Sequence, residues 1–257
     1  MTALITGGSS GIGLEFARQL SRMGYDLVLV SNRPQELSDV SRSLIEEYGV
    51  SVLPVEMDLA EKGCARKLLD LCDSNGLQVD VLINNAGVFF MEYLGESSLD
   101  KARTMLGLHV ETITELCILF GSRMKERRSG HILIMSSMTA RIPAPGITTY
   151  SASKAYLKSF GKGFSYEMRP FGVKVTTVCP AAVDTGLYRL SPGIRSTGRR
   201  LGLIQSPESL VRRALRALFK GRRVFSPGLM NAVLPPLIAL LPARLIDRLG
   251  MRWIYDK

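Results

Sequence analysis

Tyr150 and Lys154 stand four residues apart in Tyr150-Ser151-Ala152-Ser153-Lys154, inside a segment of helical periodicity. Side chains at i and i+4 share one helix face, so this spacing puts a phenol beside an ammonium. A free phenol titrates near ~10, too high for easy proton exchange at neutral pH. A neighbouring ammonium favours the phenolate and lowers that value. Such a phenol can give a proton to a carbonyl oxygen or take one from an alcohol. Ser137 lies thirteen residues upstream, at the end of an apolar run, where its hydroxyl can hydrogen-bond the same oxygen. Taken alone, the Tyr150/Lys154 pair is also compatible with an ordinary surface helix.

A second cluster lies at the start of the chain, in Thr6-Gly7-Gly8-Ser9-Ser10-Gly11-Ile12-Gly13. Gly7, Gly11 and Gly13 surround a turn from a strand into a helix. Glycine there permits a sharp turn and lets backbone N–H groups approach a pyrophosphate at the helix N-terminus. The reading is a dinucleotide site formed by Gly7, Ser9, Ser10, Gly11, Ile12 and Gly13. The next strand ends in Ser31-Asn32-Arg33. A carboxylate at this end would bind the ribose hydroxyls of NAD, but Ser31 occupies the place and Arg33 follows. A guanidinium pairs with a 2′-phosphate that a carboxylate would repel, so NADP(H) is favoured over NAD(H). The alternative is that Arg33 simply faces solvent. Asp58-Leu59 end the third strand, where Asp58 either accepts from the adenine amino group or caps the following helix.

These residues need a scaffold that gathers strand ends. Apolar runs at Ala3–Thr6, Asp26–Ser31, Ser51–Met57, Val79–Asn84, His131–Ser136, Lys174–Val178 and Arg223–Phe225 read as strands. Helices are expected over Ile12–Met23, Gln35–Glu47, Glu61–Ser74, Leu99–Arg127, Tyr150–Met168 and Glu208–Phe219. Continuous apolar strands imply a sheet covered on both faces. Regular alternation implies an α/β, doubly wound parallel sheet, a Rossmann fold of about seven strands in a single domain over 1–257. Ligands bind such a sheet beyond the carboxyl ends of its strands.

Asn84-Asn85-Ala86-Gly87, then Ser136-Ser137, then Tyr150-x-x-x-Lys154, following the glycine-rich turn in this order, resemble the short-chain dehydrogenase/reductase family over about residues 1–190. The resemblance implies hydride transfer between a nicotinamide cofactor and a ketone or secondary alcohol, with Tyr150 as acid/base. It implies that Ser137 holds the substrate oxygen and Lys154 contacts the nicotinamide ribose. Asn85, Ala86 and Gly87 would line the adenosine side. Cys179-Pro180-Ala181-Ala182-Val183-Asp184-Thr185 resembles the family's Pro-Gly-x-x-x-Thr element, with Pro180 and Val183 at the cofactor and Thr185 reaching the carboxamide. The usual glycine is Ala181 here, which would be strained if that position needs positive φ. The family's relay asparagine on the long helix is His109, either a titrating relay group or a packed core residue.

The resemblance places a substrate lid at about 186–207, apolar with basic flanks, opposite a wall from Val88–Tyr93 and Met138–Ile147. This suits a hydrophobic ketone, lipid-like or steroid-like. A 3-oxoacyl carrier-protein reductase is the alternative enzyme, and a non-catalytic dinucleotide sensor or scaffold the alternative class. Family resemblance also implies a homodimer or homotetramer. The apolar extension at about 229–257 can cover the pocket, pack in a dimer, or make weak contact with a membrane surface. Its longest apolar run, Leu229–Leu241, is interrupted by Pro235-Pro236 and falls short of the ~18 residues of a spanning helix. A net charge of +10 fits a solvated basic surface, an acidic partner or an anionic membrane, while no nucleic-acid motif accompanies it. Cys64, Cys72, Cys117 and Cys179 form no Cys-x-x-Cys pair, and His109 and His131 have no ligand spacing, so no metal is expected. Reduced cysteines and the absence of a recognisable leader give a cytoplasmic expectation.

Overall fold

In the computed structural model the described residues are 1–185, 193, 198, 204–228, 230–242 and 244–245. Seven strands form one sheet: β1 (Thr2–Thr6), β2 (Asp26–Ser31), β3 (Val52–Glu56), β4 (Val79–Asn84), β5 (Gly130–Met135), β6 (Val173–Val178) and β7 (Val224–Phe225). Their order is β3-β2-β1-β4-β5-β6-β7, and every pairing is parallel. Strand order reverses between β1 and β4, so a crevice opens at their carboxyl ends.

The connecting helices are α1 (Gly11–Arg22), α2 (Pro34–Tyr48), α3 (Cys64–Ser74), α4 (Leu99–Leu106), α5 (Ile113–Glu126), α6 (Thr148–Met168), α7 (Pro207–Phe219) and α8 (Met230–Ala239). Successive strand residues point to opposite faces, and both faces are apolar here. Leu4 and Leu82 pack with Leu68 of α3, Phe120 of α5 and Leu157 of α6. Ile5 and Ile83 pack with Phe16 of α1, Leu37 of α2 and Leu210 of α7 on the other side. Each such fully buried side chain contributes about 1.5–3 kcal/mol. The four cysteines are free and buried, Cys64, Cys72 and Cys117 within the first of these layers.

Three segments depart from the expected elements. The helix expected over Leu99–Arg127 is not uniform: Gly107–Thr112 is a π-helical turn between α4 and α5. The helix expected from Glu61 begins at Cys64, because Gly63 takes a left-handed conformation at the N-cap, φ 76°. In the tail, Pro235 and Pro236 do not stop the helix; α8 carries them in its interior and forgoes the backbone donors that proline lacks. This helix leaves Val233 and Leu237 exposed, and Leu240, just past its end, is 83% exposed. The stretch Glu96–Glu126 is long and apolar enough by composition to cross a membrane, yet half of its most apolar window is buried inside the fold, as a core helix would be. Most of the expected lid over 186–207, and the tail from 246 onward, lie outside the described residues.

Candidate active site

The residues singled out by their chemistry lie in the loops beyond the carboxyl ends of β1 to β6 or on the helices that follow them. On the left of the crevice the site is made of backbone. Gly7 and Gly11 have φ of 65° and 55°, which side chains rarely adopt. A Cβ on Gly13 would lie 1.9 Å from the Gly7 carbonyl oxygen, so only glycine lets α1 start this close to β1. Ser10 is extended at the N-cap and makes no side-chain cap bond, and no acidic residue stands in the first turn. The first amides of α1 thus remain available to an anion. A pyrophosphate fits this cradle, with Ser9, Ser10, Gly11, Ile12 and Gly13 around it.

Loops from neighbouring strands hold the turn. Thr6 Oγ1 donates to the Ile83 carbonyl and accepts from the amides of Asn85 and Ala86. Asn85 Nδ2 donates to the Thr6 carbonyl at 3.0 Å, so its side chain braces the glycine turn. Ser9 and Ser31 join through their hydroxyls at 2.8 Å, and Ser31 also accepts the Arg33 amide. The Arg33 side chain is 60% exposed and pairs with Glu36 at 3.1 Å; Asn32 beside it is exposed. Asp58 accepts the Ala60 amide at 2.9 Å and closes a local turn around Leu59, six residues short of α3, so it does not cap that helix. Thr185, in the loop after β6, meets the turn, its methyl 3.6 Å from where a Cβ on Gly11 would stand.

On the right, side chains build the site. Ser137 follows β5 and caps a 3-10 turn, Met138–Arg141, by accepting the Thr139 amide. The Pro180 carbonyl accepts the Met138 amide at 2.8 Å, which ties the loop after β6 to this turn. Ala181 is buried and its φ is not positive, so alanine sits there without strain; Val183 is buried nearby and bridges to Gln205. Tyr150 and Lys154 occupy the first turns of α6, and both are buried. Lys154 Nζ donates to the Met135 carbonyl at 3.1 Å and lies 5.6 Å from the Tyr150 ring centre. Burial pushes the Lys154 ammonium down from 10.5 to about 8, partly opposed by the neighbouring Cys179. The Ser136 hydroxyl donates to the Lys154 carbonyl at 2.7 Å. The two expected wall segments meet: Phe89 stands edge-on to Tyr150 at 5.0 Å, and the Glu92 amide donates to the Gly146 carbonyl.

His109 is fully buried. Its Nε2 accepts the Val88 amide at 3.0 Å and its Nδ1 lies 3.0 Å from Ser153 Oγ. Burial, and then Lys154, hold the imidazole well below its ordinary range. A Cβ on Gly87 would lie 2.9 Å from His109 Nε2, so this glycine makes room for the ring. Thr6, Ser136 and Ser153 are the supporting residues that sequence reasoning did not single out; the available signal was a hydroxyl residue at a strand end or inside the Tyr-x-x-x-Lys segment. A cavity of about 490 Å³ lined by Cys72, Asp73, Val79, Arg123 and Arg127 lies at the amino end of β4, the wrong end of the sheet for this chemistry.

Known proteins resemble this chain in sequence and in fold. Residues 1–191 match the short chain dehydrogenase family. The very-long-chain 3-oxoacyl-CoA reductase-B of Danio rerio is 28% identical over 255 residues, covering 97% of this chain and 78% of that protein. The very-long-chain 3-oxoacyl-CoA reductase of Aspergillus terreus is 32% identical over 234 residues, covering 88% of this chain and 62% of that protein. Among solved structures, a short-chain dehydrogenase from Sphingobium yanoikuyae in complex with NADPH has a TM-score of 0.78 at 27% identity, covering 94% of this chain and 96% of that one. This chain belongs to the short-chain dehydrogenase family, as an oxidoreductase acting on the alcohol/ketone pair.

Proposed function

We propose that the chain is an NADP(H)-dependent reductase of a hydrophobic ketone, or the reverse dehydrogenase, with Tyr150 as its acid/base. The observation that carries this is the buried ammonium of Lys154 beside the buried ring of Tyr150, at the mouth of a cradle that only glycine permits. The nicotinamide, when bound, supplies the hydride. In reduction Tyr150 gives its proton to the carbonyl oxygen, Lys154 stabilises the phenolate left behind, and Ser137 donates a hydrogen bond to the same oxygen. Lys154 keeps two ammonium protons beyond the one given to Met135, enough to reach a ribose hydroxyl as well.

The phosphate preference rests on Arg33. Its exposed pair with Glu36 is the kind worth only about 0–1 kcal/mol, so the guanidinium is readily turned to a 2′-phosphate, and no carboxylate ends β2 to oppose one. The test is NADPH and NADH oxidation in parallel against steroid ketones, acyl thioesters and small aromatic ketones. Arg33→Glu should weaken NADPH binding roughly 10–100-fold and leave NADH unchanged. Equal use of both cofactors by the parent would remove the NADP(H) assignment. A 3-oxoacyl thioester is the second reading; the names of the relatives and the net charge of +10 favour it, and the same panel separates it from a steroid-like ketone.

A further inference from the structure

The π-helical turn aims His109 at two partners whose roles are fixed by chemistry. The Val88 amide can only donate, so Nε2, which meets it at 3.0 Å, must be the unprotonated nitrogen. The Ser153 hydroxyl gives its one proton to the Tyr150 carbonyl at 2.8 Å, so towards Nδ1, 3.0 Å away, its oxygen must accept. Both constraints demand the same tautomer, neutral with its proton on Nδ1. A second proton would have to go on Nε2, facing the Val88 N–H group. The titratable groups facing the ring are Lys154 and Tyr150, both on α6; the loop after β4 presents Gly87 and Val88, mostly as backbone. A nearby ammonium adds a further penalty to an imidazolium.

We propose that His109 is a positioning residue rather than a proton carrier: locked as the neutral Nδ1–H imidazole, it works with Ser153 to fasten the loop after β4 to the first turn of α6. The chain of donors runs one way, from the Val88 amide through His109 and Ser153 to the Tyr150 carbonyl. It also sets two rings against the phenol: Phe89, next to Val88, stands edge-on to the Tyr150 ring, and the His109 ring approaches it at 5.9 Å. Any effect on turnover rests on the role proposed for Tyr150; the tautomer does not.

The chain holds two histidines, so ¹⁵N-histidine labelling gives a readable spectrum, and His109→Gln identifies the signals that belong to His109. The expected spectrum is that of a neutral Nδ1–H ring, unchanged across about pH 5–8, where a free imidazole titrates. Ser153→Ala should shift its Nδ1 signal and leave Nε2 nearly still. An Nε2–H spectrum, or a titration within that window, would overturn the proposal. With a ketone substrate from the panel, Ser153→Ala and His109→Gln should lower kcat about 10–100-fold through misplacement, with NADPH affinity and the shape of the pH–rate profile kept. Loss of one limb of that profile in His109→Gln would show a relay instead. A parent that reduces no ketone would sink the functional reading and leave the imidazole spectrum to decide this one.

Discussion

The two sides of the crevice are built by opposite means. On the β1–α1 side the ligand meets backbone, and the turn works because side chains are missing: at Gly13 even a methyl would stand 1.9 Å from a carbonyl oxygen. On the β5–α6 side the work is done by side chains held in a network, with Ser136, Ser153 and His109 bonded to the backbone around Tyr150 and Lys154. The first side is vulnerable to added volume and the second to lost donors. The first should therefore fail in binding and folding together, and the second in turnover alone.

The largest effect should come from the side-chain half. Tyr150→Phe removes one hydroxyl and no volume, so NADPH affinity and thermal midpoint should stay near those of the parent. Turnover should fall by roughly 10²–10⁴-fold, the usual worth of a positioned acid/base. Steady-state kinetics beside cofactor titration would check this; a variant with full activity would break the comparison at its centre. Gly13→Ala is the counterpart. The backbone at Gly7 has to move, at a cost of about 1–3 kcal/mol or more, and the cradle moves with it. Loss of affinity and loss of melting temperature should therefore appear together, and a variant that binds NADPH normally would mean the turn is more yielding than its contacts.

Lys154→Met sharpens the contrast, because here stability should move the other way. Burial lowers the Lys154 pKa from 10.5 to about 8, a difference of about 3 kcal/mol. Below about pH 8 the folded chain carries this poorly held charge, and folding is destabilised by that amount. Between 8 and 10.5 the folded state gives up its proton before the unfolded one, so parent stability rises with pH. Methionine has no such charge, so the variant should be the more stable near pH 7. Its gain should fall short of the full difference, because the Met135 carbonyl loses a donor worth about 1–2 kcal/mol. The gap should narrow as pH climbs towards 10.5. Denaturant midpoints near pH 7 and near pH 10 would show it, and a variant less stable at both would mean the ammonium is better solvated than its burial implies. Turnover should be lost throughout.

The contrast also explains what could be read from the sequence. The backbone-built side was legible because glycine spacing after an apolar run states a steric need directly. β2 and β4 have the expected bounds because continuous Val/Leu/Ile runs carry their own limits. The side-chain network was only half legible: Tyr150, Lys154 and Ser137 announce themselves by type and spacing, whereas Ser153 and Thr6 act on backbone carbonyls and amides that are close only after folding. The π turn at Gly107–Thr112 has no local stop signal, and the extra residue it accommodates decides where His109 points. Asp58 was ambiguous for a similar reason, since its cap reading depended on a helix start that Gly63 moves to Cys64.

The smallest effect tests a place where family pattern and physical need part. The resemblance puts glycine where Ala181 stands, and a glycine that is needed for positive φ would make alanine a strained substitute. Ala181 is not in that region, and its methyl is buried beneath the loop that the Pro180 carbonyl pins to Met138. Ala181→Gly therefore relieves nothing. It removes one buried methyl and frees the unfolded chain, so it should destabilise by about 0.5–1 kcal/mol. NADPH affinity should change little, because the Pro180 carbonyl, the Val183 bridge to Gln205 and Thr185 are untouched. A more stable Ala181→Gly variant would show that the loop after β6 is held against its own preference. It would then belong with the glycine-built side of the crevice rather than with the network around Tyr150.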